Sequence, residues 1–279
     1  MGAIVGGLVA AACWAAANLC TSRSSRMLGA PTVLAWVMLV GFVLLAPFVA
    51  TSDVPEALGR SIGWLALSGV ANVVGLLAVY TALRRGTVGV VSAITPTEGA
   101  IAATISIAAG EPVGTATGIL LAVIAAGVFL SAFAPGADGG GRTLDAAVYS
   151  FAAAICFGVG LYAAGRVSGD LPAVWTAVPA RVVGVAAVTL PLALQGKMRI
   201  TRRAIPLVVG AGSCEVVGFL AFVIGARHSV AVTAVIGSQL AALAAIGAFV
   251  LFRERLTRLQ VGGLITIGVS VGFLTAIRA

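Results

Sequence analysis

The sequence predicts an all-α, polytopic membrane protein in which ten transmembrane helices form two inverted five-helix repeats. Three observations lead there. The chain is 60% hydrophobic and 9% charged, with a mean hydropathy of +1.13, whereas a soluble domain carries about 25% charged residues. So few charges cannot cover the surface of a soluble protein of 279 residues, and lipid must serve as part of its solvent. Second, apolar stretches of roughly the 20 residues that a bilayer-crossing helix needs follow one another with short polar breaks. Third, the chain repeats itself at a fixed offset of 143 residues. That step takes Cys13 to Cys156, Trp14 to Phe157, Arg23 to Arg166, Gly41 to Gly184 and Arg60 to Arg203. It also takes Gly69 to Gly212, Gly75 to Gly218, Arg84 to Arg227 and Glu111 to Glu254, with no gap before Glu111.

The first five spans are expected at 3–20, 31–50, 62–84, 87–108 and 114–133, and the second five at 145–164, 174–195, 204–226, 230–251 and 258–277. Pro31 and Pro206 stand near span starts, where a missing N–H costs least. The longest polar break runs from Pro135 to Arg142 and holds Gly139, Gly140 and Gly141. It marks a linker at 135–144 between a first repeat, 1–134, and a second, 145–279. An odd number of spans per repeat turns the second copy upside down in the membrane. A pseudo-two-fold axis in the membrane plane then relates the copies, a symmetry suited to alternating access. No basic region precedes the first apolar run, so it reads as a retained span rather than a removed signal peptide.

The formal charge is +8. Its arginines are scattered through short loops rather than gathered in a patch, which argues against a nucleic-acid partner and for contacts with lipid headgroups. The loops after the odd-numbered spans hold Arg23, Arg26, Arg84, Arg85, Arg142, Lys197, Arg199, Arg202, Arg203, Arg253, Arg255 and Arg258. The opposite side holds Arg60, Arg166, Arg227 and Arg278. By the positive-inside rule both termini lie outside. Cys13, Cys20, Cys156 and Cys214 form no CxxC pair and read as small core residues. The lone His228 cannot anchor a typical zinc site, and no metal or other cofactor is expected. No GxxxxGK[ST] loop is present, which argues against direct use of ATP.

A charge inside a bilayer costs about 2.5–3.5 kcal/mol on insertion scales, so one that persists marks a candidate site. Glu98, Arg181 and Glu215 fall well inside expected spans, and Asn72 occupies the repeat position of Glu215. At 1.5 Å per residue both acids lie on the order of 15–17 Å from the side bearing the loop between spans six and seven, and Arg181 about 10 Å from it. A Glu–Arg pair near the midplane is feasible, with either acid as partner. Glu98 and Glu215 are the candidates to bind a proton or a substrate amino group; burial and a nearby guanidinium bias such an acid in opposite directions. Arg181 is a candidate to hold a substrate carboxylate by two parallel bonds. The plainer alternative is a structural ion pair that fixes helix register.

The surrounding polar residues fit a cavity. Ser92, Thr95 and Glu98 recur every three residues on span four, and Asn72, Leu76 and Tyr80 every four on span three. Asn18, Ser238 and Gln239 add hydrogen-bonding groups from spans one and nine, although Ser and Thr in membrane helices often bond their own backbone instead. Trp14 and Tyr80 are candidates to stack on a substrate, or else interfacial anchors or core residues. Pro96 and Pro179 break regular helix bonding in spans four and seven, as candidate gate positions or as packing kinks. Glu111 and Glu254, at span ends, are expected to cap the following helix or pair with nearby arginines. Gly114/Gly118 and Gly268/Gly272 have the GxxxG spacing of close helix contacts, within a monomer or across a homodimer.

The run Phe252-Arg253-Glu254-Arg255-Leu256-Thr257, with Gln260, Gly262, Gly263 and Gly268 after it, resembles the "GERLT…Q..G…I..G" signature of EamA-type transporters in the drug/metabolite transporter superfamily. Gly110-Glu111-Pro112 with Gly118 and Gly127 is similar in the first copy, as are Tyr80-Thr81-Ala82-Leu83 and the small-residue rise Gly89, Ser92, Thr95, Pro96. The sequence departs from that pattern where Gln239 replaces the first copy's Pro96, where Glu111 is followed by Pro112 rather than Arg-Leu, and at Glu98. The resemblance covers nearly the whole chain. It implies a multi-pass cell-membrane protein with both termini inside, against the positive-inside count, and a secondary transporter rather than an enzyme. Its expected partners are membrane lipids and a small-molecule substrate, exported by alternating access: a metabolite, an amino acid or a drug, with protons as the candidate coupling ion. A flippase for a lipid-linked sugar would share the fold. An intramembrane enzyme acting on lipid-linked substrates is disfavoured, because His228 lies near a span end and Gly237-Ser238 lacks the rest of a GxSxG elbow. A channel is disfavoured too, since no ring of charges or filter-like loop is present.

Overall fold

A computed structural model of the chain describes residues 1–85, 91, 94–132, 140–239, 262, 263, 265, 266, 269, 270 and 273. The described residues form helices and no strand. They are α1 (Gly2–Leu28), α2 (Ala30–Ala50), α3 (Leu58–Arg85), α4 (Glu98–Ala108), α5 (Thr115–Ala132) and α6 (Gly140–Val167), then α7 (Ala173–Leu194), α8 (Ile205–Ala226) and α9 (Val230–Gly237). Within α7, Val185–Thr189 takes π geometry between two α-helical stretches. A 3₁₀ turn, Thr95–Thr97, leads into α4.

Among the described residues six helices are long and apolar enough to cross a membrane: Gly2–Ser25, Ala30–Ala50, Leu58–Ala82, Leu144–Val167, Ala173–Leu194 and Ile205–Ala226. They coincide with expected spans one, two, three, six, seven and eight. Thr115–Gly127 is a shorter apolar helix. Most of the tenth span, most of the ninth, the run Phe252–Thr257 with Glu254, the Gly268/Gly272 pair and Ser92 lie outside the described residues. Residues 140–144 of the expected linker are helical and open α6.

Local chemistry explains the boundaries. α1 continues past its apolar run because Thr21 and Ser24 donate to the carbonyls of Ala17 and Cys20, each at 2.9 Å, and so satisfy their hydroxyls within the helix. Gly29, at φ +84°, joins α1 to α2 through one residue in a conformation that costs glycine nothing. Pro31 then occupies the first turn of α2, where no N–H is required.

The packing pattern recurs. α1 lies along α8, and α6 along α3; α2 touches α8, and α3 touches α7; α1 touches α9, and α6 touches α4. α2 packs on α7, and α4 on α9. Glycines set the same close approaches 143 residues apart: Gly75 abuts the Phe157 ring, as Gly218 abuts Trp14. Gly69 faces the Pro179–Ala180 backbone, as Gly212 faces the Val37 carbonyl and Val40. A Cβ at Gly75 would stand 2.6 Å from Phe157 Cε1. Gly75→Ala is therefore expected to cost about 1–3 kcal/mol through overpacking, seen as a lower unfolding temperature in detergent. Gly63→Ala, at a helical position where a Cβ meets nothing within 4 Å, should leave that temperature unchanged or raise it.

One end of the bundle gathers several connections. Gly2 lies against the His228 ring. Arg227 donates to the carbonyls of Ser168 and Leu171 at 2.7 and 2.9 Å. Trp175 Nε1 donates to Ser52 Oγ at 3.0 Å. The start of α1 and the corners after α2, α6 and α8 thus share this end.

Candidate functional site

Arg181 is the largest fully buried side chain among the described residues, at 1% exposure. Gly41 on α2 makes room for it: a Cβ there would lie 2.9 Å from Arg181 Cδ. Its Nη2 stands 3.7 Å from Oε2 of Glu215 on α8, which is 16% exposed. Its Nη1 donates to Met38 Sδ on α2 at 3.6 Å. Its Nε has no partner among the described residues. A buried guanidinium without an acid beside it costs several kcal/mol, and Glu215 offsets that penalty. A guanidinium carries five N–H donors. One edge here faces a carboxylate and one N–H meets only a weak thioether acceptor, so Arg181 keeps donors for a further group.

The sequence left open which acid meets Arg181; it is Glu215. Met38, which carries no charge to single it out, stands at the repeat position of Arg181. Gly184, the repeat position of Gly41, abuts the Met38 side chain as Gly41 abuts Arg181. Arg181 and its counterpart therefore touch where α2 meets α7.

The remaining candidates fall into three groups. Tyr80, buried on α3, lies beside Thr21 of α1 and within electrostatic reach of Glu215 and Arg181. The thiols of Cys13 and Cys214 also lie within reach of Glu215. Glu98, 5% exposed, opens α4 directly after the 3₁₀ turn, within the field of Glu215. These residues form one charged neighbourhood. Thr21, Cys13 and Cys214 carry no sequence signal for it, because their approach depends on how α1 crosses α3 and α8.

A second group has unmade hydrogen bonds. Asn72 Oδ1, Thr95 Oγ1 and Gln239 Nε2 are buried without partners among the described residues, as is Trp36 Nε1, which the sequence did not single out. An unsatisfied buried polar atom costs about 1–3 kcal/mol, so such atoms mark places where water or a ligand group belongs.

The third group is engaged elsewhere. Trp14 packs into an aromatic cluster, its ring centroid 6.2 Å from that of Phe222, with Phe219 next in line. Ser238 donates to the Val235 carbonyl at 2.9 Å, bonding its own helix. Asn18 is exposed on α1. Pro96 is buried in the 3₁₀ turn, and Pro179 lies within α7 two residues before Arg181, its backbone against Gly69.

A groove of about 790 Å³ runs between α4 and α6, lined by Ile101, Ile105, Phe151 and Ile155 among others. It is apolar and contains none of the candidate residues, so the charged neighbourhood lies elsewhere. Among the described residues no cluster of His, Cys, Asp or Glu is placed to hold a metal ion.

Comparison with known proteins adds a family match over the first part of the chain. Residues 1–133 match the EamA-like transporter family. A solved crystal structure described only as that of a protein superposes with a TM-score of 0.81 over 99% of this chain and 98% of that one. The two are 16% identical, so that likeness speaks for the fold alone. The search of curated proteins returned no match. With an EamA-like domain and six helices able to cross a bilayer, the chain is a multi-pass membrane protein.

Proposed function

We propose that this chain, EamA-like over residues 1–133, is a ten-span secondary transporter that exports a small polar or amphipathic solute across the cell membrane by alternating access. In this reading residues 1–134 and 145–279 are inverted repeats. The recurrence of helix contacts and glycine approaches at the 143-residue step supports it. One chain supplies both repeats, so a monomer is sufficient.

The observation that carries the reading is the Arg181–Glu215 pair, buried beside the repeat position of Arg181 itself. The contact between α2 and α7 is the natural pivot of two rocking repeats, and the charged pair rides on it. When the repeats rock one way the pair is reached from one side of the membrane, and when they rock back, from the other. The free donors of Arg181 take an acceptor group of the solute. Glu215 or Glu98 takes a proton or the solute's amino group. A proton on Glu215 removes the charge that restrains Arg181, so proton and solute are linked through one guanidinium. Asn72, Thr95 and Gln239 offer the unused hydrogen-bonding atoms that a polar solute requires.

Flux into or out of proteoliposomes tests this directly. A mixed panel of amino acids, aromatic metabolites and cationic drugs is loaded and a pH gradient imposed. Selective movement that follows the gradient is the expected result. Selective movement indifferent to the gradient would leave a facilitator or exchanger and remove the proton from the cycle. No movement of any solute would overturn the reading in favour of a lipid-linked cargo.

A further inference from the structure

We propose that Glu111 is a latch between the two halves, holding one face of the transporter shut; this rests on the alternating-access reading above. Its position after α4 suggests a cap for the next helix. Its carboxylate instead turns to α9, which lies in the other half of the chain. Oε1 accepts from the Ser229 hydroxyl at 2.5 Å, and Oε2 accepts from the Ala231 N–H at 3.2 Å. The Ser106 hydroxyl also donates to Oε2. Gly110, at φ +97°, reverses the chain, and the Glu111 N–H then bonds the Ser106 carbonyl at 3.1 Å, which aims the side chain across the gap.

The partner end is built to receive it. Ser229 is the N-cap of α9: its hydroxyl oxygen accepts from the Val232 N–H at 3.2 Å while its proton goes to Glu111. A hydroxyl can do both at once. The negative charge also sits at the positive end of α9. The same corner is fastened to its own half, because Arg227 holds the Ser168 and Leu171 carbonyls at the end of α6. Arg227 thus makes the corner part of the second half, and Glu111 is the bond from the first half to it. For α4 and α9 to part at this end, the Arg227 contacts can stay intact, and the Ser229 and Ala231 bonds of Glu111 must break. A plain helix cap would not span two bodies that move against each other.

Ala234 reports on the latch. It is fully buried inside α9, and its carbonyl lies against Gly99 of α4. In a chain whose four cysteines are replaced by alanine, Ala234→Cys is exposed to a membrane-impermeant maleimide in proteoliposomes. Glu111→Ala is expected to speed labelling by at least about tenfold, the scale of a lost charge-assisted bond. Ser229→Ala should produce a smaller increase, and it serves as the test should Glu111→Ala not fold. Unchanged labelling in the folded variant, while the unaltered protein moves a solute of the panel above, would overturn the latch and leave the transporter standing. If the unaltered protein moves none of that panel, the transport reading fails instead, whatever the labelling shows.

Discussion

Arg181→Met is expected to abolish flux and to destabilise the protein by up to about 3–5 kcal/mol, because it leaves Glu215, only 16% exposed, without its partner. The more telling variant adds Glu215→Asn. The pair then reads Met and Asn, which is what the first half already carries at Met38 and Asn72. Removing both charges together avoids the unpaired-ion penalty, so the double variant should recover most of the lost stability and none of the flux. Thermal unfolding in detergent and proteoliposome flux separate the two effects. A double variant that transports at the unaltered rate would make the pair a structural fixture and move the site elsewhere.

Glu98→Gln is expected to uncouple flux from the pH gradient while leaving the fold intact. Gln keeps the shape of the side chain and cannot exchange a proton. No ion pair to Glu98 is found among the described residues, so its neutral replacement strands no charge. Glu215→Gln differs, because it strands Arg181 and should lower stability as well as flux. Initial rates under gradients of opposite sign read the outcome. Equal rates in Glu98→Gln assign proton coupling to Glu98, whereas full retention of the gradient response assigns it to Glu215.

The contrast between these acids also shows how far sequence reading reaches. Helical character and the long spans are written in composition and spacing, which act locally and add over many residues. The choice between Glu98 and Glu215 is not written there. Both acids lie at similar depth, and the decision rests on which side of α7 faces α8 and on the gap that Gly41 leaves. Met38 was within reach of sequence reading, since the repeat offset leads straight to it. Thr21 beside Tyr80 was not, because only the crossing of helices brings them together. The chain neighbours of Glu111 point to a local cap, yet its partners Ser229 and Ala231 stand 118 and 120 residues away. Ser238 and Thr21 obeyed the expectation that hydroxyls in apolar helices turn to their own backbone.

The touching of Arg181 and Met38 carries a constraint on ancestry. In a symmetric dimer of identical five-helix chains, both sides of this contact would be the same residue. Two guanidiniums there would repel at close range in a medium that screens poorly, and two methionines would offer no charge at all. A single cation at this place is open only to a chain whose halves have become different. On the proposed reading of two repeats, a difference between the halves at this one position is therefore a precondition of the charged centre.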